Sequence, residues 1–243
     1  MGNEVIPPRF EFKYLVPLRQ VDVIRRMIEP YCVLDEFADK EPKKRYVITS
    51  LYLDTPTLGC WNAWNLGADR RFKLRIRRYG HKLGDSPVFF ETKERVMDLT
   101  IKPRILVPPA QWLSRARDGV GQSADERDFC IRRSRYRLQP TMLVRYEREA
   151  WEGRIEAYAR VTFDQRLQYQ RCDAWTLEGD EGWYQAADDA VAFEDDDPRT
   201  LVEIKFEREI PRWMTHLMRT LELERRGCSK YGIGVLRTFN RGE

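Results

Sequence analysis

Histidine is almost missing from this chain, since its 243 residues include only His81 and His216. A metal site built on histidine ligands, as in many zinc and copper proteins, is therefore a poor interpretation. The five cysteines are odd in number, widely spaced and never arranged as Cys-x-x-Cys. That spacing predicts reduced, mostly structural thiols, as in the cytoplasm, rather than a disulfide framework or a zinc site.

Long apolar segments are missing as well. No run of about 18 apolar residues is present to span a bilayer, and no signal peptide opens the sequence. We therefore expect a soluble, cytoplasmic protein, although a membrane-protein partner could still bring it to a membrane. No internal repeat is visible, and the length fits one sheet-rich domain over residues 1–243.

Acidic residues are concentrated in one segment. The formal net charge is +4, but residues 172–198 contain ten acidic residues and no lysine or arginine. The rest of the chain holds all 43 basic residues and only 29 of the 39 acidic ones. This balance favours polyanions such as phosphate chains, nucleotides, nucleic acid or an acidic membrane surface. We interpret residues 172–198 as an acidic surface excursion.

Charged side chains recur at every second position in seven strand-like stretches. In Arg71–Arg77, basic and apolar residues alternate without a break. Because successive side chains of a β-strand point to opposite faces, each stretch has one charged and one apolar face. Together they predict a sheet that curls around a charged interior and packs its apolar face against helices. The stretches are Arg9–Lys13, Arg71–Arg77, Glu91–Lys93, Ile101–Arg104, Arg145–Arg148, Arg160–Asp164 and Glu203–Glu207.

The basic residues of this pattern have two interpretations. In a single strand they fit the solvated face of an antiparallel sheet. Taken together they favour a bound polyanion, because like charges on one sheet face repel unless an anion or carboxylate lies between them. Arginine offers a planar fork for phosphate, and lysine a mobile point charge. The residues in question are Lys13, Arg75, Arg77, Lys93, Lys102, Arg148 and Lys230.

Carboxylates occur in or beside the same rows. Most of them are expected to neutralise neighbouring arginine and lysine side chains. Hard cations such as Mg²⁺ and Mn²⁺ also prefer oxygen ligands, and commonly bind through one or two carboxylates plus substrate phosphates. With so few histidines, this is the kind of metal that the sequence can support. The carboxylates are Glu11, Glu91, Glu147, Asp164, Glu203 and Glu207.

The same periodicity predicts the order of secondary structure. Strands are expected at about 9–16, 44–54, 70–79, 87–95, 98–107, 141–152, 155–169 and 199–208. Helices are expected at about 18–29 and 58–65, over 109–137 with a glycine-rich interruption at 119–123, and from near Pro211. The end of the chain, after residue 228, is expected to form a final helix or strand.

Several of these stretches carry a family resemblance over about residues 9–237. Together they resemble the VTC-type polyphosphate polymerase domain of the triphosphate tunnel metalloenzyme (CYTH-like) superfamily. Each motif is short, and it is their order and strand phasing that make the set specific. The motifs are Glu11-x-Lys13-Tyr14, Ser50–Asp54, Lys73–Gly80, Phe89–Lys93, Tyr146–Trp151, Val161–Asp164, Leu201–Lys205 and Ser229–Tyr231.

The resemblance implies an α+β fold, in which a closed antiparallel β-barrel of about eight strands, flanked by helices, forms a basic tunnel. It implies Glu203 as the metal ligand, with Glu11 as a second candidate, and Mn²⁺ or Mg²⁺ as the metal. ATP and inorganic polyphosphate would be the partners, and no nucleic acid is expected. The implied catalytic residues are Arg75, Arg77, Lys93 and Lys230. The implied phosphate-binding residues are Lys13, Lys102, Arg148, Arg160 and Lys205.

One departure from the superfamily pattern bears on the reaction. Hydrolytic members open with Glu-x-Glu-x-Lys, whereas this chain has Arg9-Phe10-Glu11-Phe12-Lys13. Hydrolysis by activated water uses the acidic cluster, while transfer onto a phosphate chain begins from an oxygen that is already anionic. The sequence therefore favours an ATP-dependent polyphosphate polymerase. The alternatives are an inorganic triphosphatase or NTPase, and a non-catalytic polyphosphate or nucleotide sensor.

Overall fold

The computed structural model describes residues 9–97, 99–156, 158–185, 199–225 and 229–239. Its contacts divide the chain into two compact units. Unit 1 comprises Met1–Tyr46, Glu147–Leu167 and Ala186–Cys228, and unit 2 comprises Val47–Tyr146, Gln168–Gln185 and Ser229–Glu243. The single domain expected over residues 1–243 stays a prediction. No helix in the described residues is long and apolar enough to cross a membrane.

The strands carry most of the chain. They are β1 (Arg9–Pro17), β2 (Cys32–Leu34), β3 (Tyr46–Asp54), β4 (Arg70–Tyr79), β5 (Val88–Val96), β6 (Leu99–Ile101), β7 (Arg104–Val107), β8 (Gln139–Gly153), β9 (Ala159–Arg171), β10 (Tyr184–Gln185) and β11 (Arg199–Glu207). The helices are α1 (Val21–Ile28), α2 (Glu36–Lys40), α3 (Gly59–Asn65), α4 (Trp112–Arg117), α5 (Ala124–Arg135), α6 (Arg212–Thr220) and α7 (Lys230–Phe239), with a 3₁₀ turn at Leu18–Gln20.

Unit 1 is an antiparallel sheet backed by helices. β1 pairs with β11, β11 with β9, and the final part of β8 with β2. The predicted alternation is present, because Val202 and Ile204 of β11 are buried in the core while Glu203 and Lys205 lie on the other face. The helices α1 and α6 cover that core with buried apolar side chains.

Unit 2 repeats this two-faced arrangement. β3 pairs with β4, β4 with β5, and β5 with both β6 and β7. Leu74 and Ile76 of β4 are fully buried in the core, whereas Arg75 and Arg77 alternate with them and lie on the opposite face. The helices α4 and α5 add Trp112 and other apolar side chains to this core.

The α+β class and the antiparallel sheet of eight main strands are confirmed. The closed barrel is not borne out among the described strands, where the path of pairing is linear, from β1 to β6, and no pairing joins its two ends. The predicted strand over 98–107 is two short strands, β6 and β7. Pro103 lies between them, and proline lacks the N–H that a continuous ladder needs.

The acidic segment is only partly an excursion. Residues 186–198 lie outside the described residues, whereas 172–185 belong to unit 2. Leu177 is 1% exposed within the core of that unit. The buried Arg78 donates from Nε to the Leu177 carbonyl at 3.0 Å and from Nη2 to Glu178 Oε2 at 3.2 Å. The buried Leu177 side chain and the hydrogen bonds from the Arg78 guanidinium therefore hold this stretch of the acidic segment against the rest of unit 2.

Candidate functional site

In unit 1, charged side chains meet around Glu203 on the face opposite the core. Lys205 Nζ donates to Glu203 Oε2 at 2.7 Å, and Arg148 Nη2 donates to the same oxygen at 3.2 Å. Lys13 Nζ lies 3.6 Å from Glu203 Oε1 and 3.2 Å from Glu11 Oε1. We call these residues, together with Asp164, the Glu203 group.

The strand register produces this group. In the β1–β11 ladder, Lys13 is opposite Glu203 and Glu11 is opposite Lys205, so opposite charges face each other across the pair. β9 adds Asp164 to the same face, and the carboxylate of Asp164 binds Arg148. The group contains three cationic and three anionic side chains and is therefore close to neutral.

Burial shapes the electrostatics of the Glu203 group. The Glu203 side chain is only 5% exposed, and that of Lys205 is 17% exposed. Burial lowers the pKa of Lys205, and the neighbouring Glu203 carboxylate only partly offsets this effect. A phosphate arriving at Lys205 would add a negative charge and so favour its protonated form.

The Glu203 group fits a divalent metal that is shared with a phosphate. The Lys13 ammonium lies between one oxygen of Glu11 and one of Glu203, so a cation is already accommodated there. Among the described residues, no set of three His, Cys, Asp or Glu side chains could hold a metal by itself. Mg²⁺ and Mn²⁺ commonly bind through one or two carboxylates and take their other ligands from phosphate and water. Glu203 and Glu11 match that donor set.

Arg160 was predicted to bind phosphate, but its guanidinium is engaged elsewhere in unit 1. Its Nη2 donates to Asp35 Oδ2 at 2.5 Å and its Nη1 to Glu152 Oε1 at 3.0 Å. Asp35 is buried and also caps α2, accepting from the Ala38 N–H at 2.7 Å. The contacts of Arg160 with described residues are therefore with Asp35 and Glu152, which lie outside the Glu203 group.

In unit 2, three arginines converge on Glu91. Arg75 Nε donates to Glu91 Oε2 at 2.5 Å, and Arg77 Nη1 lies 3.7 Å from the same oxygen. Arg104 Nε lies 3.4 Å from Glu91 Oε1. Tyr52 accepts a hydrogen bond from Arg75 Nη1 at 3.1 Å. We call Arg75, Arg77, Arg104 and Glu91 the Glu91 group; it carries two more positive than negative charges.

The arginines hold Glu91 ionised. Burial raises its pKa, but the charges of Arg75, Arg77 and Arg104 outweigh burial and bring the pKa to about 2. The same field acts on Tyr52, where burial raises the hydroxyl pKa but Arg75 and Arg77 lower it below its usual value. The Glu91 group thus keeps an excess of positive charge on one face of its sheet, as an anion site requires.

Four lysines of unit 2 occupy different surroundings. Lys73 Nζ donates to Ser229 Oγ at 2.8 Å and lies 4.3 Å from the centre of the Trp64 ring. Lys230, the first residue of α7, places Nζ 4.7 Å from the centre of the Tyr146 ring and is 9% exposed. Lys93 is opposite Lys73 in the β4–β5 ladder and is exposed. Lys102 is also exposed, between β6 and β7.

Sequence reasoning missed some members of both groups as site residues. Arg104 contacts Glu91, whereas the neighbouring Lys102 was predicted for phosphate binding. The strand register identifies Arg104 as the contact, since it is directly opposite Glu91 in the β5–β7 ladder. Asp164 was interpreted only as a neutralising carboxylate, a role that its contact with Arg148 confirms. Tyr52 lies within the Ser50–Asp54 motif of the family resemblance, but it was given no role in the site.

Two solved structures share this fold. A protein from Hippeastrum, described as a candidate adenylyl cyclase with a dominant triphosphatase activity, is 14% identical, with a TM-score of 0.50 over 94% of this chain and 95% of that one. A candidate adenylate cyclase from Bacillus halodurans is 12% identical, with a TM-score of 0.51 over 96% of this chain and 98% of that one. At these identities the likeness concerns the fold alone.

No curated protein matches the sequence. The VTC domain model, in contrast, matches residues 8–239. That range includes most of both units and every member of the Glu203 and Glu91 groups. The family predicted from the strand motifs is confirmed: this chain belongs to the VTC domain family.

Proposed function

We propose that this protein is a polyphosphate polymerase that transfers the γ-phosphoryl group of ATP onto a growing inorganic polyphosphate chain. Membership of the VTC domain family supports a phosphoryl-transfer enzyme. The excess positive charge of the Glu91 group supports the binding of phosphate by unit 2. The near-neutral Glu203 group supports the joint binding of a cation and a phosphate by unit 1.

One observation favours a polymerase over a hydrolase. Arg9 stands opposite Glu207 at the start of the β1–β11 ladder, where hydrolytic members of the superfamily have a first glutamate. Glu11 and Lys13 continue the ladder opposite Lys205 and Glu203. The ladder therefore lacks one of the carboxylates with which a hydrolase activates water. An attacking phosphate oxygen needs no such activation, because it is already negatively charged.

The proposed reaction balances without a general base. A terminal oxygen of the polyphosphate chain attacks the γ-phosphorus of ATP and forms a new P–O bond. The bond between the γ-phosphorus and the oxygen that bridges it to the β-phosphorus breaks. ADP leaves with that electron pair, and the chain gains one phosphate. Positioning and stabilisation of negative charge then supply the catalysis.

Different arginine and lysine side chains stabilise the transferred group, bind the other phosphates and position the site. In the proposal, Arg75, Arg77, Lys93 and Lys230 stabilise charge on the transferred group. Arg104 joins them because of its contact with Glu91. Lys13, Lys102 and Lys205 bind further phosphates. Arg148 and Arg160 are positioning residues, since their guanidiniums are bound to the carboxylates of Asp164 and Asp35.

Glu203, with Glu11, would hold the Mn²⁺ or Mg²⁺. When bound, such an ion neutralises phosphate oxygens and polarises the phosphorus that is attacked. The chain's own contribution is to orient the Glu203 carboxylate, which the hydrogen bonds from Lys205 and Arg148 do. Lys13, whose ammonium lies beside both carboxylates, would bind a phosphate oxygen.

A triphosphatase is the second candidate. The Hippeastrum protein, which has this fold, is described as having a dominant triphosphatase activity. A triphosphatase would need a water molecule to be activated near Glu11 or Glu203. It would release orthophosphate from tripolyphosphate and would lose activity strongly in Glu11→Gln.

The deciding experiment separates the products. The purified chain is incubated with ATP and Mn²⁺ or Mg²⁺, and the products are resolved on a gel stained for polyphosphate, with Arg75→Met as the matched inactive variant. Long chains that depend on ATP and metal, and that Arg75→Met does not make, support the polymerase. Orthophosphate without chains identifies a triphosphatase. Binding of tripolyphosphate without turnover under either metal identifies a sensor.

A further inference from the structure

One fully buried carboxylate in unit 2 joins the beginnings of two helices. Asp54, at the end of β3, is 0% exposed. Its Oδ1 accepts from the Thr55 N–H at 2.7 Å and from the Cys60 N–H at 2.8 Å. Its Oδ2 accepts from the Trp61 N–H at 3.0 Å and from the Tyr231 hydroxyl at 2.7 Å. Asp54 therefore caps α3 from outside that helix and also holds α7.

Tyr231 is fixed from several sides. It is 1% exposed, and its ring stacks on Tyr52 with centroids 4.8 Å apart and planes 13° apart. Burial, and the adjacent Asp54 carboxylate, raise the pKa of the Tyr231 hydroxyl far above its usual value, so it stays a hydrogen-bond donor. Tyr52 in turn accepts from Arg75 of the Glu91 group. Asp54 is thus linked to the Glu91 group through two stacked tyrosines.

The same contacts fix the first residue of α7. Lys230 directly precedes Tyr231, and its ammonium lies over the Tyr146 ring. Close packing reinforces this position, because a Cβ on Gly232 would lie 3.2 Å from the Trp64 ring of α3. Ser229 accepts from the Gly232 N–H at 3.1 Å and so caps α7. Any rotation of α7 would move Lys230 and would break the Tyr231–Asp54 bond.

We propose that Asp54 and Tyr231 are positioning residues that hold α7 so that Lys230 is presented to phosphate. This inference rests on the proposed function, since it assigns Lys230 to phosphate binding. A purely structural hydrogen bond would stabilise the fold equally whether or not Lys230 is present. A positioning bond affects phosphate binding only through Lys230, and this difference can be measured.

The test is a double-mutant cycle on the full chain, with tripolyphosphate as the probe and calorimetry as the measurement. Tyr231→Phe removes one oxygen and keeps the stacked ring. Its affinity is expected to fall about threefold to tenfold, the equivalent of one positioning hydrogen bond. In a Lys230→Met background the same change is expected to have no further effect. Tyr14→Phe, which removes a buried hydroxyl bound to Met218 Sδ in unit 1, is the matched control and is expected to bind as the wild type does.

The outcomes separate the two proposals. If Tyr231→Phe lowers the affinity equally with and without Lys230, or does not lower it, the positioning role is overturned while the proposed function stands. If the wild type does not bind tripolyphosphate, both fail. Asp54→Asn retains a cap oxygen for α3 but not the carboxylate that accepts from Tyr231, and it is expected to show the same dependence on Lys230. It replaces Tyr231→Phe in the cycle if that variant does not fold.

Discussion

Arg148 and Asp164 form a buried bidentate ion pair, with Nε to Oδ1 at 2.6 Å and Nη2 to Oδ2 at 2.7 Å. The Asp164 side chain is 1% exposed and that of Arg148 is 11% exposed. The same Nη2 also reaches Glu203, so the pair fixes the direction from which Glu203 receives a hydrogen bond. Only arginine can serve two carboxylates in this planar manner.

Removal of the Arg148 guanidinium should lower the stability of the fold. Arg148→Met removes the guanidinium that forms the buried ion pair with Asp164, and we expect the free energy of unfolding to fall by about 3–5 kcal/mol. Arg160→Met is the matched comparison, because Arg160 also pairs with a buried aspartate but its side chain is 25% exposed; its cost should be smaller. Urea unfolding followed by tryptophan fluorescence measures both. If both variants lost the same free energy of unfolding, the more buried Arg148–Asp164 pair would not be the more stabilising of the two.

The metal assignment gives a second prediction. Glu203→Gln should weaken Mn²⁺ binding in the presence of tripolyphosphate by at least about tenfold, because a ligand charge is lost from a site with few carboxylates. Glu11→Gln should have a smaller effect, since Glu11 is the more exposed of the two. Calorimetric titration of Mn²⁺ measures this affinity. Glu209→Gln, just after β11, is the control; an effect as large as that of Glu203→Gln would contradict the assignment.

Much of the fold could be predicted from the sequence, because alternation at period two is a local signal. β4 and β11 show it most clearly, and both lie where the pattern placed them. β2 and α2 were missed, since strands of three residues and helices of five carry too few positions for a period to show. Their boundaries depend on Asp35, which caps α2 and pairs with Arg160 far along the chain.

The site was predicted in part. The family resemblance implied Glu203, Lys205 and Lys13 as site residues, and the structure brings them together. The alternation could not distinguish Lys102 from Arg104, because both have the right phase within 101–104. Only the break at Pro103 and the register of β7 decide between them. A tertiary bond such as that between Tyr231 and Asp54 leaves no local pattern at all.

The choice between those two basic residues can be tested. Arg104→Met should weaken tripolyphosphate binding about tenfold, because a charge-assisted contact is lost from the Glu91 group. Lys102→Met should change it less than about threefold, since an exposed lysine contributes mainly long-range attraction that salt screens. Binding measured at low and high salt separates the two contributions. A larger loss of affinity in Lys102→Met than in Arg104→Met would contradict the greater role given to Arg104.

Glu91 gives the protein a specific acid sensitivity. Its pKa in the folded state is about 2, against a usual value of 4.5. A carboxyl group whose pKa is lower in the folded than in the unfolded state stabilises the fold. This stabilisation is complete above the usual carboxyl pKa and is lost as the pH falls towards the folded-state pKa. The loss should therefore occur between about pH 4.5 and pH 2 and should amount to about 3 kcal/mol. Glu91→Gln removes the titrating group, so the stability difference between wild type and variant should shrink over that interval.

Urea unfolding at several pH values and constant ionic strength measures that difference. Glu36→Gln is the matched control. The pKa of Glu36 is also lowered, by its hydrogen bond with Lys40, but both side chains are about 70% exposed, and an ion pair in solvent contributes little. Its stability difference from the wild type should stay flat over the same interval. If the Glu91→Gln difference were equally flat, the three arginines would not be holding Glu91 ionised, and the anion site proposed for unit 2 would lose its electrostatic basis.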